Sequence, residues 1–158
     1  MPAKKHYLTK DGVEKIKREL DDLQKRKRAL LDGSGPQAFR FGEVEAEYIT
    51  FKEDLGRLKE RVEELESALE NYELIKVPSS KDQSRVHLGA NVLIEMNGSV
   101  EEFRIVGTIE SDPANKKISD QSPIGYALLG KRVGEEIVVK TPMVNHSCRI
   151  LSIKYENN

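Results

Sequence analysis

Residues 48–72, YITFKEDLGRLKERVEELESALENY, decide the fold. Tyr48, Phe51, Leu55, Leu58, Val62, Leu65, Leu69 and Tyr72 step alternately by three and four, the 3.5-residue period of a helix that turns one apolar stripe toward a partner helix. Upstream, Val13, Ile16, Leu20, Leu23, Lys27 and Leu30 repeat the pattern, with Lys27 the only polar member. Two such helices in one short chain most simply fold back on each other as an antiparallel pair, each burying the other's stripe. Pairing Val13 with Tyr72, Leu20 with Leu65 and Leu30 with Leu55 makes partner numbers total about 85 throughout, which places the reversal near Gly42-Glu43. Asp32-Gly33-Ser34-Gly35-Pro36 interrupts the first helix before that point, and Pro36 suits a first-turn position where a helix resumes. The second helix is expected from about Ala46 to Glu73.

A chain of 158 residues holds one ordinary domain or two small ones, which excludes a large multidomain enzyme. Its net charge of −1 creates no overall field for nucleic acid or anionic lipid, so any nucleic-acid contact is local. Of its 26 Lys and Arg and 27 Asp and Glu, 16 and 17 respectively fall within residues 1–76, so charge gathers in the helical half. Cys148 has no second cysteine to bridge, and neither a signal-peptide core nor a membrane-spanning run occurs. The expected setting is cytoplasmic, with no membrane partner.

The second half changes character. Val77-Pro78-Ser79-Ser80-Lys81-Asp82-Gln83-Ser84 reads as a polar linker. Beyond it, Asn91–Ile94, Glu102–Val106, Ile137–Val139 and Arg149–Ile153 are short β-rich runs divided by Asn97-Gly98, Asp112-Pro113 and Thr141-Pro142. Ser122 to Gly130 reads as one short helix, capped by Ser122, opened by Pro123 and stopped by Gly130. The fold class is α+β: a helical hairpin over 1–76, a linker over 77–84 and a small α+β domain over 85–158.

No self-contained catalytic site assembles from the sequence. His6, His87 and His146 are scattered, Cys148 lies in an expected strand, and neither a metal-ligand spacing nor a phosphate-cradling glycine loop is present. Two local charge features stand out. Glu43-Val44-Glu45-Ala46-Glu47 falls at the end of the hairpin, where carboxylates either hold a hard divalent cation such as Mg²⁺ or simply favour a helix N-terminus, each worth about 0.3–1 kcal/mol. Lys25-Arg26-Lys27-Arg28 either attracts an RNA backbone by counterion release or pairs with Glu60, Glu63 and Glu64 on the opposing helix.

The order of parts resembles the bacterial Gre transcript cleavage factors over nearly the whole chain. The resemblance is carried by Leu8-Thr9-Lys10-Asp11-Gly12, by Ala46-Glu47-Tyr48, and above all by the run from Ile118 to Glu136, which contains Ser122-Pro123-Ile124-Gly125-Tyr126, followed by Val138-Val139-Lys140-Thr141-Pro142. It implies a coiled-coil hairpin inserted into the RNA polymerase secondary channel and an FKBP-like C-terminal domain that docks on the polymerase, without implying prolyl isomerase activity. In such factors acidic tip residues help the polymerase hold a second Mg²⁺, and the backtracked RNA 3′ end is hydrolysed by two-metal chemistry that belongs to the polymerase. Carried over, the resemblance makes Glu43 and Glu45 the metal-orienting acids, Lys25, Arg26, Lys27 and Arg28 the RNA or channel contact, and Ser122, Pro123, Ile124 and Gly125 the docking residues. It further implies Mg²⁺ held jointly with RNA polymerase and not stably alone, the nascent RNA 3′ end as a second partner, a monomeric protein, and no enzymatic activity of its own.

The tip departs from the family pattern. Family tips usually read Gly-Asp-Leu-x-Glu-Asn-Ala-Glu-Tyr, whereas Gly42-Glu43-Val44-Glu45-Ala46-Glu47-Tyr48 is two residues shorter. With the deletion inside the tip, Gly42 and Glu43 match Gly-Asp and Glu45 stands near the second acid, which agrees with the reversal expected at Gly42-Glu43. Aligned without a gap back from Tyr48, the acidic positions become Phe41 and Val44, and the protein becomes a channel occupant or competitor that does not stimulate cleavage. A further alternative, a chaperone or coiled-coil interaction protein with a peptide-binding FKBP-like domain, is poorly served by the few aromatics Phe103, Tyr126 and Tyr155.

Overall fold

The computed structural model of the chain describes residues 5–34 and 44–156, and the side chains of all of these except 33, 34 and 44–47. The chain divides into two compact units, Val13–Asn71 and a second formed by Met1–Gly12 with Tyr72–Asn158. The anticipated reversal at Gly42-Glu43 and the resumption at Pro36 lie outside the described residues.

The first unit is the helical pair. Helix α1 spans Lys10–Ala29 and passes into a single π-helical turn, Leu30–Ser34, at the interruption expected from Asp32-Gly33. Helix α2 spans Val44–Glu70. Val13, Ile16, Leu58, Val62, Leu65 and Ala68 are buried, and every other seam residue on these helices with a described side chain is half-buried. Each fully buried aliphatic side chain contributes about 1.5–3 kcal/mol. Two cross-helix bonds tie the pair: Arg61 Nε donates to Glu19 Oε1 at 2.8 Å and Gln24 Nε2 donates to Glu66 Oε1 at 3.0 Å. Their residue numbers total 80 and 90, on either side of the expected 85, so long side chains cross diagonally over an antiparallel seam.

The end of α2 differs from expectation. The helix closes at Glu70, where the Asn71 amide still donates to Ser67 O at 3.2 Å, and Tyr72–Leu74 is extended as strand β2. It pairs in parallel with strand β1, His6–Leu8, and the Ile75 amide continues the ladder to Leu8 O at 2.7 Å. Tyr72 therefore leaves the heptad seam. This pairing also corrects the expected domain boundary at Lys76: residues 5–12 and 72–76 pack with the sheet domain. Pro78 to Ser84 is ordered by local bonds, with Ser79 Oγ donating to Asp82 at 2.8 Å and the Gln83 amide side chain donating to Pro78 O at 3.0 Å.

The second unit is built on a five-stranded sheet in the order β5-β4-β3-β7-β6, with β3 at Ala90–Met96, β4 at Ser99–Val106, β5 at Lys117–Ser119, β6 at Glu136–Lys140 and β7 at Asn145–Tyr155. Only β4 and β5 run parallel within it. The β3–β4 hairpin turns at Asn97 (φ 53°) and Gly98 (φ 79°), the left-handed pair that the Asn-Gly signal demands. Val92, Ile94, Phe103, Ile105, Val139 and Ile150 alternate onto one face and form the core with Leu128 of helix α3, Pro123–Leu128. Leu151 is the extra residue of a bulge, because Leu93 pairs with Ser152 while Ile94 pairs with Ile150. No described helix is long and apolar enough to cross a membrane.

Candidate functional site

The acidic feature is only partly described. Glu43 lies outside the described residues, and Glu45 falls by its backbone in the first turn of α2. Among the described residues no group of three His, Cys, Asp or Glu side chains comes together to hold a metal ion.

The basic stretch occupies the last turns of α1. Lys25 pairs with Asp21 one turn earlier at 2.9 Å, both side chains about two-thirds exposed. That hydrogen bond, reinforced by the Asp21 charge, raises the Lys25 pKa, while Arg28 opposes it. The opposing acids do not neutralise the stretch as the pairing alternative requires. Glu64 is drawn to Arg61 at 2.7 Å, the same guanidinium that holds Glu19, and the Glu19 bond is the main cause of the raised Arg61 pKa. Arg26, Lys27 and Arg28 make no ion pair among the described residues, so three cations stand uncompensated beside the helix C-terminus, where positive charge is also favoured by the macrodipole. Arg26 and Arg28 are exposed, whereas Lys27 is half-buried in the seam.

The Ser122–Gly125 turn is built by short-range bonds. Ser122 Oγ accepts from the Gly125 amide at 3.1 Å and donates to Ser119 O at 2.6 Å, while Ser119 Oγ accepts from the Gln121 amide at 3.0 Å. A Cβ at Gly125 would lie 2.0 Å from Ser119 O, so only glycine fits. Gly125 is buried and serves the turn from within; Pro123 is exposed, and Ser122 and Ile124 are half-buried. Beside them Tyr126 is 74% exposed. A groove of about 450 Å³ runs between α3 and edge strand β6, lined by Pro123, Tyr126, Ala127 and Val138 among others. From the sequence Tyr126 counts only as one of the few aromatics of the domain and not among the docking residues, although its place one residue beyond the Pro-Ile-Gly turn puts it on the outer side of a helix whose Ile124 and Leu128 face the core.

A third constellation escaped sequence reasoning altogether. Glu110, in a 3₁₀ turn after β4, is 7% exposed, and its carboxylate accepts from the Thr9 amide at 3.0 Å and from the Thr9 hydroxyl at 2.5 Å. Thr9 Oγ1 in turn accepts from the Gly12 amide at 3.0 Å, capping the first turn of α1. A Cβ at Gly12 would lie 2.4 Å from the Glu110 carboxyl carbon. The Thr-Lys-Asp-Gly motif is thus a cap and a gap that together seat one buried carboxylate.

Two family models match consecutive parts of the chain: "Transcription elongation factor, N-terminal" over residues 6–74 and "Transcription elongation factor, GreA/GreB, C-term" over residues 81–155. The chain is 35% identical over 149 residues to transcription elongation factor GreA of Thermomicrobium roseum, covering 93% of this chain and 96% of that one. It is 37% identical to the GreA of Caldanaerobacter subterraneus subsp. tengcongensis, with coverages of 96% and 99%. It is 38% identical to the GreA of Thermosipho africanus, with coverages of 94% and 96%. Among solved structures it matches GreA factor homolog 1 (Gfh1) of Thermus thermophilus at 25% identity over 96% of this chain and 99% of that one, with a TM-score of 0.41.

Proposed function

The chain belongs to the GreA/GreB family of transcription elongation factors, and from that membership we propose that it binds bacterial RNA polymerase and stimulates the polymerase's own cleavage of backtracked nascent RNA. The polymerase is the enzyme, and this chain is its cofactor protein, acting as a monomer in the cytoplasm. The observation that carries the proposal is the match of both halves of the chain, in order, to the two parts of one elongation-factor family.

Each part of the chain has a role that suits its chemistry. The hairpin enters the secondary channel and delivers Glu43 and Glu45, whose oxygens are the ligand type Mg²⁺ prefers. When bound jointly with the polymerase, that ion makes water nucleophilic near neutral pH. Arg26 and Arg28, uncompensated on α1, face the negative charge of RNA or the channel wall. Pro123 and Tyr126 on α3 meet the polymerase surface.

The test is release of short RNA fragments from a purified backtracked elongation complex in Mg²⁺. Release that depends on added protein supports the proposal. The shortened tip favours a second reading, in which Phe41 and Val44 stand at the acidic positions and the hairpin occupies the channel without stimulating cleavage. Binding to the complex with no release at saturating protein selects that reading.

A further inference from the structure

We propose that the sheet domain carries a binding site for a small phosphate-bearing molecule, in the cavity bounded by Lys10, residues 74–77, Arg104 and Tyr155. The cavity measures about 410 Å³, within the range of sites that take small organic ligands. Among the described residues its charged lining is unbalanced: Lys10, Lys76 and Arg104 face it, against Glu156.

Among the described residues none of the three cations forms an ion pair, and Lys76 acts only weakly, through its charge, on Glu73, whose carboxylate is already held by Lys5. Arg104 is the telling member. Its Nε is buried and has no hydrogen-bond partner, a condition that folded proteins rarely tolerate without a ligand, ion or water to meet it. Its neighbours make the position still less favourable for a merely structural arginine. On the same face of the sheet Arg104 stands directly beside Lys117 of β5 and, across Asn91 of β3, level with Lys154 of β7. Like charges side by side across strands are destabilising, and although Lys117 and Lys154 lie outside the cavity lining, an anion held at Arg104 relieves that repulsion.

The chemistry narrows the ligand. A guanidinium fork flanked by two ammonium groups suits the several oxygens and double charge of a phosphate better than a single carboxylate. Leu74, Ile75, Val77 and Leu88 supply an apolar wall, which suits an organic body attached to that phosphate.

The experiment is calorimetric titration of the full chain with adenosine 5′-monophosphate and, separately, with adenosine. The monophosphate is expected to bind saturably and adenosine not to bind. Arg104→Gln weakens the monophosphate by about tenfold or more, and Glu156→Gln, which removes the one lining carboxylate among the described residues, tightens it. Should Arg104→Gln unfold, Lys10→Gln, at an exposed position, serves in its place and weakens binding by a smaller factor. Amide NMR shifts on titration are expected at Val77 and Gly89. No saturable binding at concentrations on the order of 10 mM, equal binding of adenosine, or unchanged affinity in both variants overturns the proposal.

Discussion

The buried carboxylate of Glu110 takes two hydrogen bonds from Thr9, a residue 101 positions earlier, and covers the bare backbone of Gly12. The amide and hydroxyl of Thr9 both point at it, and the hydroxyl simultaneously caps α1. Removing the carboxylate leaves two buried donors unmet. Glu110→Ala is therefore expected to cost about 2–3 kcal/mol of folding stability, and Glu110→Gln roughly half as much, because its amide oxygen still satisfies one donor. Gly12→Ala should cost a similar amount by driving a methyl into the carboxyl group. Guanidinium unfolding at neutral pH measures all three; a loss below about 0.5 kcal/mol for Glu110→Ala contradicts the account.

At the α3 turn, folding and the proposed docking can be tested separately. Gly125→Ala places a methyl against the carbonyl of Ser119, a backbone atom that cannot rotate away, so a loss of about 2 kcal/mol or more is expected. Pro123→Ala and Tyr126→Ala change exposed surface and should stay within about 0.5 kcal/mol of the parent protein. Polymerase affinity, measured by surface plasmon resonance, should fall for these two despite their intact stability. Unchanged affinity for Tyr126→Ala would remove α3 from the docking surface.

Arg26 and Arg28, which form no ion pair among the described residues, predict a salt effect. Arg26→Gln with Arg28→Gln should leave thermal stability unchanged and weaken binding to the elongation complex at low salt. If both residues meet RNA phosphates, the slope of log affinity against log salt flattens by about 1.4 for the pair. An unaltered slope means that these residues face neither RNA nor an anionic wall.

Alkaline pH should destabilise the sheet domain. Burial raises the pKa of both Cys148 and Tyr155, the latter despite the opposing hydrogen bond from the His87 amide. Both groups are neutral when protonated, and in the folded state they hold their protons to higher pH than in the unfolded chain. Their contribution is fully present below the unfolded values, near 8.5 for Cys and 10 for Tyr, and is lost as pH rises through the raised folded values. Denaturant midpoints at intervals from pH 7 to 11 test this. A midpoint that rises above pH 9 has the wrong sign.

Legibility in the sequence followed the range of the interactions. The seam from Tyr48 to Leu69 and the turn from Ser122 to Gly130 were readable because each depends on residues within one or two helical turns. Strands β3, β4, β6 and β7 showed through β-rich runs and the Asn97-Gly98 turn. Strands β1, β2 and β5 did not, because three residues carry no period, and Tyr72 fitted the heptad while being drawn into a parallel pairing with His6. Glu110 looked like any surface acid, since its partner Thr9 is remote in the chain. Glu64 is held locally, by Arg61 one turn away on its own helix, whereas the Arg61 bond to Glu19 across the seam joins residues 42 positions apart and left no trace in local sequence.

The proposed function rests on the acids Glu43 and Glu45, and one measurement tests them most directly. Glu43→Ala plus Glu45→Ala, compared with the parent protein on the same backtracked elongation complex in Mg²⁺, should lose stimulated RNA cleavage while retaining polymerase affinity within about threefold. Cleavage at the parent rate by that double variant, with binding equally intact, would contradict the account.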